Sequence, residues 1–215
     1  MKKTIKGIII GTITVVLVII IAGIYKFNYL ANQPGYDVDG NKIEDTPKSE
    51  VLLKWFNLDT PNSFYVKIPD TNIECEIIKL TDSNSSSLAT GYYVIGEEKG
   101  TVFINNSDIV ALNQPTKNIE YLVIPFSISN QGSGLFKYLG TFSIDYKTKT
   151  INQIDSYYLG DRIKVNSIKY DGTDNLHVEL NIHSESQPMS DPPSKLKVLN
   201  LKVDNGTILG TEWNE

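Results

Sequence analysis

Between Ile8 and Ile24 the chain reads Ile-Ile-Ile-Gly-Thr-Ile-Thr-Val-Val-Leu-Val-Ile-Ile-Ile-Ala-Gly-Ile, without a single charge. A helix that crosses about 30 Å of hydrocarbon needs roughly 20 apolar residues at about 1.5 Å each. Tyr25 and Phe27 bring the segment to that length, and Lys26 can snorkel to the interface. β-Branched residues are poor helix formers in water, but in lipid every backbone amide must pair within the segment, so the penalty matters less. Lys2, Lys3 and Lys6 precede the run and only Lys26 follows it closely. Basic residues stay on the cytoplasmic side, so the N-terminus is expected inside and the bulk of the chain outside. A cleaved signal peptide has the same basic start. This apolar run is longer than the usual core of about 7–15 residues, and no small-x-small cleavage site follows it. The expected layout is a cytoplasmic tail over 1–7, a membrane-spanning helix over 8–25, a tether over 26–50 and an extracytoplasmic domain over 51–215. The lipid bilayer is then the first expected partner.

Past the anchor the pattern changes twice. Residues 32–49 carry Pro34, Gly35, Gly40 and Pro47 with several acids and little apolar content, which suits a tether. Val51-Leu-Leu-Lys-Trp-Phe reads as a short helix or a first strand. From Phe64 onward the apolar period is two, the mark of a strand with one buried face. Expected strands cover Phe64 to Ile68, Ile73 to Leu80, Tyr92 to Gly96, Thr101 to Asn105 and Glu120 to Ser129. Others cover Leu135 to Tyr146, Thr150 to Leu159, Arg162 to Tyr170 and Leu176 to His183. Lys195 to Val203 and Thr207 to Leu209 meet at Asp204-Asn-Gly, a strong type I′ turn signal. The fold class is therefore mainly β: an N-terminal transmembrane helix followed by an antiparallel β-sandwich or barrel-like domain. No repeat of propeller length and no βαβ alternation is present, which argues against a propeller and a Rossmann-type cofactor site.

Charge narrows the partners. Of the 20 basic residues, Lys2, Lys3, Lys6 and Lys26 lie at or before the outer membrane edge; the remaining 16 stand against 25 acids, a net of −9 outside. An acidic surface repels nucleic acid and anionic headgroups, so neither is expected as a partner. Cys75 is the only cysteine, so no intrachain disulfide staples the domain. Alternation in Ile73-Glu-Cys-Glu-Ile puts it on the apolar face, as a buried structural thiol.

No motif for catalysis, metal or nucleotide stands out. Asp37-Val-Asp-Gly-Asn-Lys-Ile-Glu-Asp has the oxygens of a calcium loop but the wrong register, with no acid at the twelfth position. His177 and His183 are six residues apart on one expected strand, about 20 Å, too far to share a metal. His183-Ser184-Glu185 would point to alternating faces, and no nucleophile elbow exists. No cofactor and no metal site are expected. The weak ligand-binding candidates are Gln131 and Ser133 in Ser129-Asn-Gln-Gly-Ser-Gly, and Tyr157, Tyr158 and Arg162 in Tyr157-Tyr-Leu-Gly-Asp-Arg. Tyrosines on one sheet face, drawn from Tyr92, Tyr93, Tyr138, Tyr157 and Tyr158, could stack on a sugar or form a protein interface; alternation lets only some share a face.

A non-enzymatic binding or interaction module of the cell envelope is the expected function, with a glycan or another envelope protein as partner. One alternative is an envelope enzyme with a non-standard site around Asp161, Arg162 and His183. Another is a structural subunit of a membrane complex.

Overall fold

The computed structural model describes residues 48–83, 86–116 and 118–210, all within one unit spanning Asp45–Glu215. The anchor expected over 8–25, most of the tether and the acidic loop from Asp37 lie outside the described residues. Among the described residues no helix is long and apolar enough to cross a membrane.

Helix α1 (Lys48–Phe56) begins inside the expected tether and resolves Val51–Phe56 as helix rather than strand. Val51, Leu52 and Phe56 fall on one face and are buried, while Glu50 and Lys54 pair on the other at 2.8 Å. The helix stops on a left-handed residue: Asn57 has φ 53° and donates to the Leu53 carbonyl at 3.1 Å, and Leu58 N–H reaches the Leu52 carbonyl at 3.0 Å. The Asn57 bond is the 5→1 bond of an αL cap, and asparagine is the non-glycine residue that best tolerates that conformation.

Twelve strands follow: β1 (Tyr65–Lys67), β2 (Glu74–Asp82), β3 (Ser87–Ile95), β4 (Glu98–Asn105), β5 (Val110–Thr116), β6 (Ile119–Ser129), β7 (Phe136–Asp145), β8 (Thr150–Asp161), β9 (Lys164–Tyr170), β10 (Asn175–Ile182), β11 (Lys195–Asp204) and β12 (Thr207–Leu209). The first eight form one antiparallel sheet in the order β1-β2-β3-β4-β6-β7-β8, with β5 also paired to β6. It curls into a nearly closed barrel. At the seam β1 and β8 meet through side chains rather than a ladder. The Gln153 carbonyl oxygen of the amide side chain accepts from Lys67 N–H at 2.8 Å, and Lys67 Nζ donates to the Gln153 backbone carbonyl at 3.2 Å. Asn62 Nδ2 donates to the Lys149 carbonyl at 3.1 Å, and Lys149 Nζ to the Asp59 carbonyl at 3.0 Å.

The remaining strands make a four-stranded sheet, β12-β11-β10-β9, layered on the outside of β5–β8. Val123, Leu139 and Leu159 pack there against Leu176, Val178, Leu180, Leu201 and Val203. Leu122, Ile124, Phe126, Phe142 and Ile144 face the barrel core instead. Strands β6 and β7 are thus covered on both sides, which explains the continuous apolar stretch Leu122-Val-Ile where alternation gives way. Asn205 and Gly206 adopt φ 46° and 80°, the type I′ turn that Asp204-Asn-Gly requires.

Strand β5 departs from expectation, because Val110–Thr116 carries a proline and two amide side chains and its propensity is weak. The β3–β4 turn is also tighter than expected, closing over Gly96 and Glu97 with Gly96 at φ 61°. Strand β10 ends at Ile182, so His183, Ser184 and Glu185 lie in a loop and not on a strand.

Candidate functional site

The antiparallel order sends the turns to two ends of the barrel. At one end, α1 packs against β2, and the segment after it reaches the β7–β8 turn through Asp59 and Asn62. Lys54 Nζ bonds Asp82 at 3.1 Å, and Phe56, Phe64 and Phe142 form edge-to-face pairs at 5.8 and 5.6 Å. The other end gathers the β1–β2, β3–β4 and β6–β7 turns and the end of β8, and no helix covers it among the described residues.

A row of rings crosses the sheet near that second end. Register places Phe126, Tyr138 and Tyr158 side by side on β6, β7 and β8. Phe126 and Tyr138 stack at 5.3 Å and 13°, and Tyr138 and Tyr158 meet at 5.3 Å and 52°. Exposure rises along the row, from 2% at Phe126 to 50% at Tyr158. Tyr93 on β3 is buried near them, across from Gly100 on β4. A Cβ at Gly100 would lie 2.2 Å from the Tyr93 ring, so only glycine leaves that ring its place.

The electrostatics keep these phenols protonated. Burial pushes Tyr138 up, and the neighbouring Tyr158, Asp70 and Tyr93 add to it. Burial followed by Asp161 does the same for Tyr158, and burial followed by Glu98 and the Cys75 thiol for Tyr93. Cys75 is itself fully buried, and desolvation followed by Glu76 pushes its thiol up to about 12. That suppresses the thiolate and makes Cys75 a packing residue. The end therefore offers neutral aromatic faces, phenolic donors and carboxylate acceptors.

Asp161 and Arg162 shape the rim. Asp161 accepts from Leu135 N–H at 2.8 Å, and Arg162 N–H returns to the Leu135 carbonyl at 2.9 Å. The Arg162 guanidinium bonds Asp161 at 3.0 and 3.1 Å. Arg162 adopts φ 51°, and this clamp fixes the loop between β6 and β7. Gln131 Nε2 in that loop donates to the Glu97 carbonyl at 3.4 Å, tying it to the β3–β4 turn. Ser133 is exposed in the same loop.

The structure thus brings Gln131, Ser133, Tyr158 and Arg162 to one end but separates Tyr157 from them. Tyr157 faces outward and packs against the second sheet's cluster, because neighbouring strand residues point oppositely. Arg162 serves as a loop clamp with its charge spent on Asp161. Tyr138 and Asp70 complete the site; the sequence held Tyr138 only as one of five tyrosines that could share a face, and it did not mark Asp70. Only the register of β7 against β6 and β8 distinguishes Tyr138 from other tyrosines.

The histidines lie elsewhere. His177 Nδ1 pairs with Asn200 at 2.6 Å, and His183 Nε2 with the Asp191 carbonyl at 2.8 Å. No hydrogen bond or ion pair joins His183 to Asp161 or Arg162 among the described residues. Nor, among them, do three or more His, Cys, Asp or Glu side chains gather as a metal site would need. No protein-family model matches the chain, and neither a curated protein nor a solved structure is significantly similar to it.

Proposed function

We propose that this chain is a single-pass, membrane-anchored envelope protein whose β domain binds a wall or surface glycan at the tyrosine end of the barrel. The observation that carries the reading is the row Phe126–Tyr138–Tyr158, which emerges from the core to half exposure at the end left open by α1. Exposed rings stack on the apolar faces of sugars, and the phenols with Asp70 supply donors and acceptors for hydroxyls. The uncharged run Ile8–Ile24 and the lysines before it support the anchored, outward-facing placement. Non-enzymatic binding fits the tasks already assigned to Asp161, Arg162 and His183, which are spent on loop geometry.

The test uses the full chain in detergent or nanodiscs, titrated with purified cell-wall and surface glycans. Tyr158→Ala should weaken binding about tenfold, equivalent to losing one aromatic contact of about 1.4 kcal/mol. Binding equal to that of the unsubstituted chain would sink the glycan assignment. Protease accessibility on intact cells checks the orientation: digestion of the β domain from outside is expected, and protection would reverse it.

A second reading, another envelope protein as partner, draws on the outer face of the four-stranded sheet. There Leu196 and Val198, two apart on β11 and so on one face, are 62% and 51% exposed. Apolar side chains clustered on a solvent-facing sheet mark interaction surfaces. Crosslinking in whole cells, with Leu196→Lys as the control, separates this reading from the first.

A further inference from the structure

Strand β6 changes partners in its middle. Residues up to Val123 pair with β5, and residues from Phe126 pair with β4. Pro125 sits at the switch, where its missing N–H costs no ladder bond. Between β4 and β5 the chain leaves the sheet in a short 3₁₀ turn, Asn106–Asp108. This departure opens a cavity of about 170 Å³ on the outer face of the sheet, where Val165 of β9 also reaches the lining.

The walls divide by chemistry. Phe103, Pro125 and Val165 supply apolar surface, and Ser127, Lys137 and Asp108 supply polar groups. Phe103, Ser127 and Lys137 are register neighbours on β4, β6 and β7, so the sheet itself holds them in line. Lys137 makes no side-chain hydrogen bond or ion pair with any described residue. Burial pulls its ammonium down, and Asp108 alone opposes that from a distance. An ammonium taken partly out of water without a partner is costly, and a bound counter-charge recovers the cost. Asp108 is exposed and takes the Ser107 hydroxyl at 3.0 Å.

From the cavity, its apolar wall and its unpartnered amine, we propose a second binding site that takes a small monocarboxylate with an apolar body, the carboxylate on Lys137 and Ser127. One lysine faced by one aspartate cannot neutralise a phosphate dianion, which favours a singly charged group. A cavity of about 150 Å³ holds a benzene-sized molecule, so the body should have roughly six to eight heavy atoms. Two sources share this chemistry: a simple carboxylic acid, and an α-amino acid whose ammonium would meet Asp108. Phe126 and Tyr138 of the ring row also line the cavity, whereas Tyr158 does not, so Tyr158→Ala tests the glycan reading and Lys137→Met tests this one.

The test is calorimetric titration of the full chain in detergent with 4-methylpentanoate, L-leucine and the neutral 4-methylpentanamide. Either carboxylate should bind, and the amide should bind at least about tenfold more weakly. Tighter binding of leucine, weakened severalfold by Asp108→Asn, identifies the amino acid; tighter binding of 4-methylpentanoate, strengthened by Asp108→Asn, identifies the simple acid. Lys137→Met should abolish binding while the melting temperature stays level or rises, because it removes an uncompensated charge. If that variant fails to fold, the comparison with the amide decides alone. The proposal is overturned if neither carboxylate binds by concentrations on the order of 10 mM, if the amide binds as well, or if folded Lys137→Met binds them unchanged.

Discussion

At the helix end of the barrel Phe56, Phe64 and Phe142 stand edge to face under α1, and none is more than 8% exposed. At the opposite end Phe126, Tyr138 and Tyr158 make a row of the same length that finishes half in solvent. Both rows have centroids 5–6 Å apart, the spacing at which ring quadrupoles attract. The difference lies in the hydroxyls and the cover. Phenylalanine under a helix has all its area removed from water and contributes to stability. Tyrosine at an open rim keeps a wet, polar edge and is available to a ligand. The same cross-strand geometry therefore closes one end and leaves the other able to bind.

The largest effect should come from breaking the closed end. Phe142→Ala removes a fully buried ring that touches Phe64 and should lower stability by about 3–5 kcal/mol in urea unfolding. A loss under about 1 kcal/mol would mean that this end is not a packed core.

Next comes the seam that joins the ends. Gln153 is 7% exposed, and its amide holds Lys67 N–H in place of a ladder bond. Gln153→Leu leaves that N–H unpaired and should cost roughly 1–3 kcal/mol, with faster hydrogen exchange across β1. Unchanged exchange there would show that β1 is held by β2 alone.

Carboxylates of the helix end and phenols of the tyrosine end should also answer oppositely to pH, with Tyr146 of the helix end, pushed up to about 12 by its hydrogen bond to Glu120, adding to the alkaline limb. At the helix end, Asp82 is held low by the Ser87 hydroxyl and Lys54, and Asp145 by the amides of Thr148 and Lys147. A carboxylate whose folded pKa is depressed adds stability that is fully present above its unfolded value, about 3.9, and is lost as pH falls through the folded value. Asp145→Asn should flatten the acid limb of a stability profile. At the tyrosine end the phenols are raised by burial, so the folded state holds protons that the unfolded state releases above about pH 10, and stability falls there. Tyr138→Phe should flatten the alkaline limb and leave the acid limb alone. Equal effects of both variants on both limbs would erase the contrast.

The smallest effect belongs to the rim. Tyr158→Ala removes a ring that is half in water and should change stability by less than about 1 kcal/mol, against several for Phe142→Ala. A loss comparable to Phe142→Ala would make Tyr158 a core residue and remove its availability for a ligand.

Much of the fold was legible from local chemistry. Period-two alternation located all the strands from β6 onward, and Asp204-Asn-Gly specified its turn. Strand β5 was not legible, because Asn113, Gln114 and Pro115 carry no strand signal and the segment is recruited by its pairing with β6. The site was legible only in part. Tyr158 was visible as an aromatic beside a turn, whereas Tyr138 and Asp70 join it through register and the gathering of turns at one end. The Lys137 cavity left no trace in the pattern, since it arises where β6 trades one neighbour for another.

The sequence by itself determined the β character of the domain and the faces on which Cys75 and the core residues lie, and it raised the expectation of an anchor. These depend on run length, charge order and alternation, which are properties of neighbours along the chain. Only the tertiary structure decided which strands adjoin, that the sheet nearly closes with β9–β12 layered outside it, and which tyrosines share a face. Those outcomes depend on contacts between residues far apart in the chain. One-residue bulges in β8 and a partner switch at Pro125 redirect side chains there without any signature in local composition.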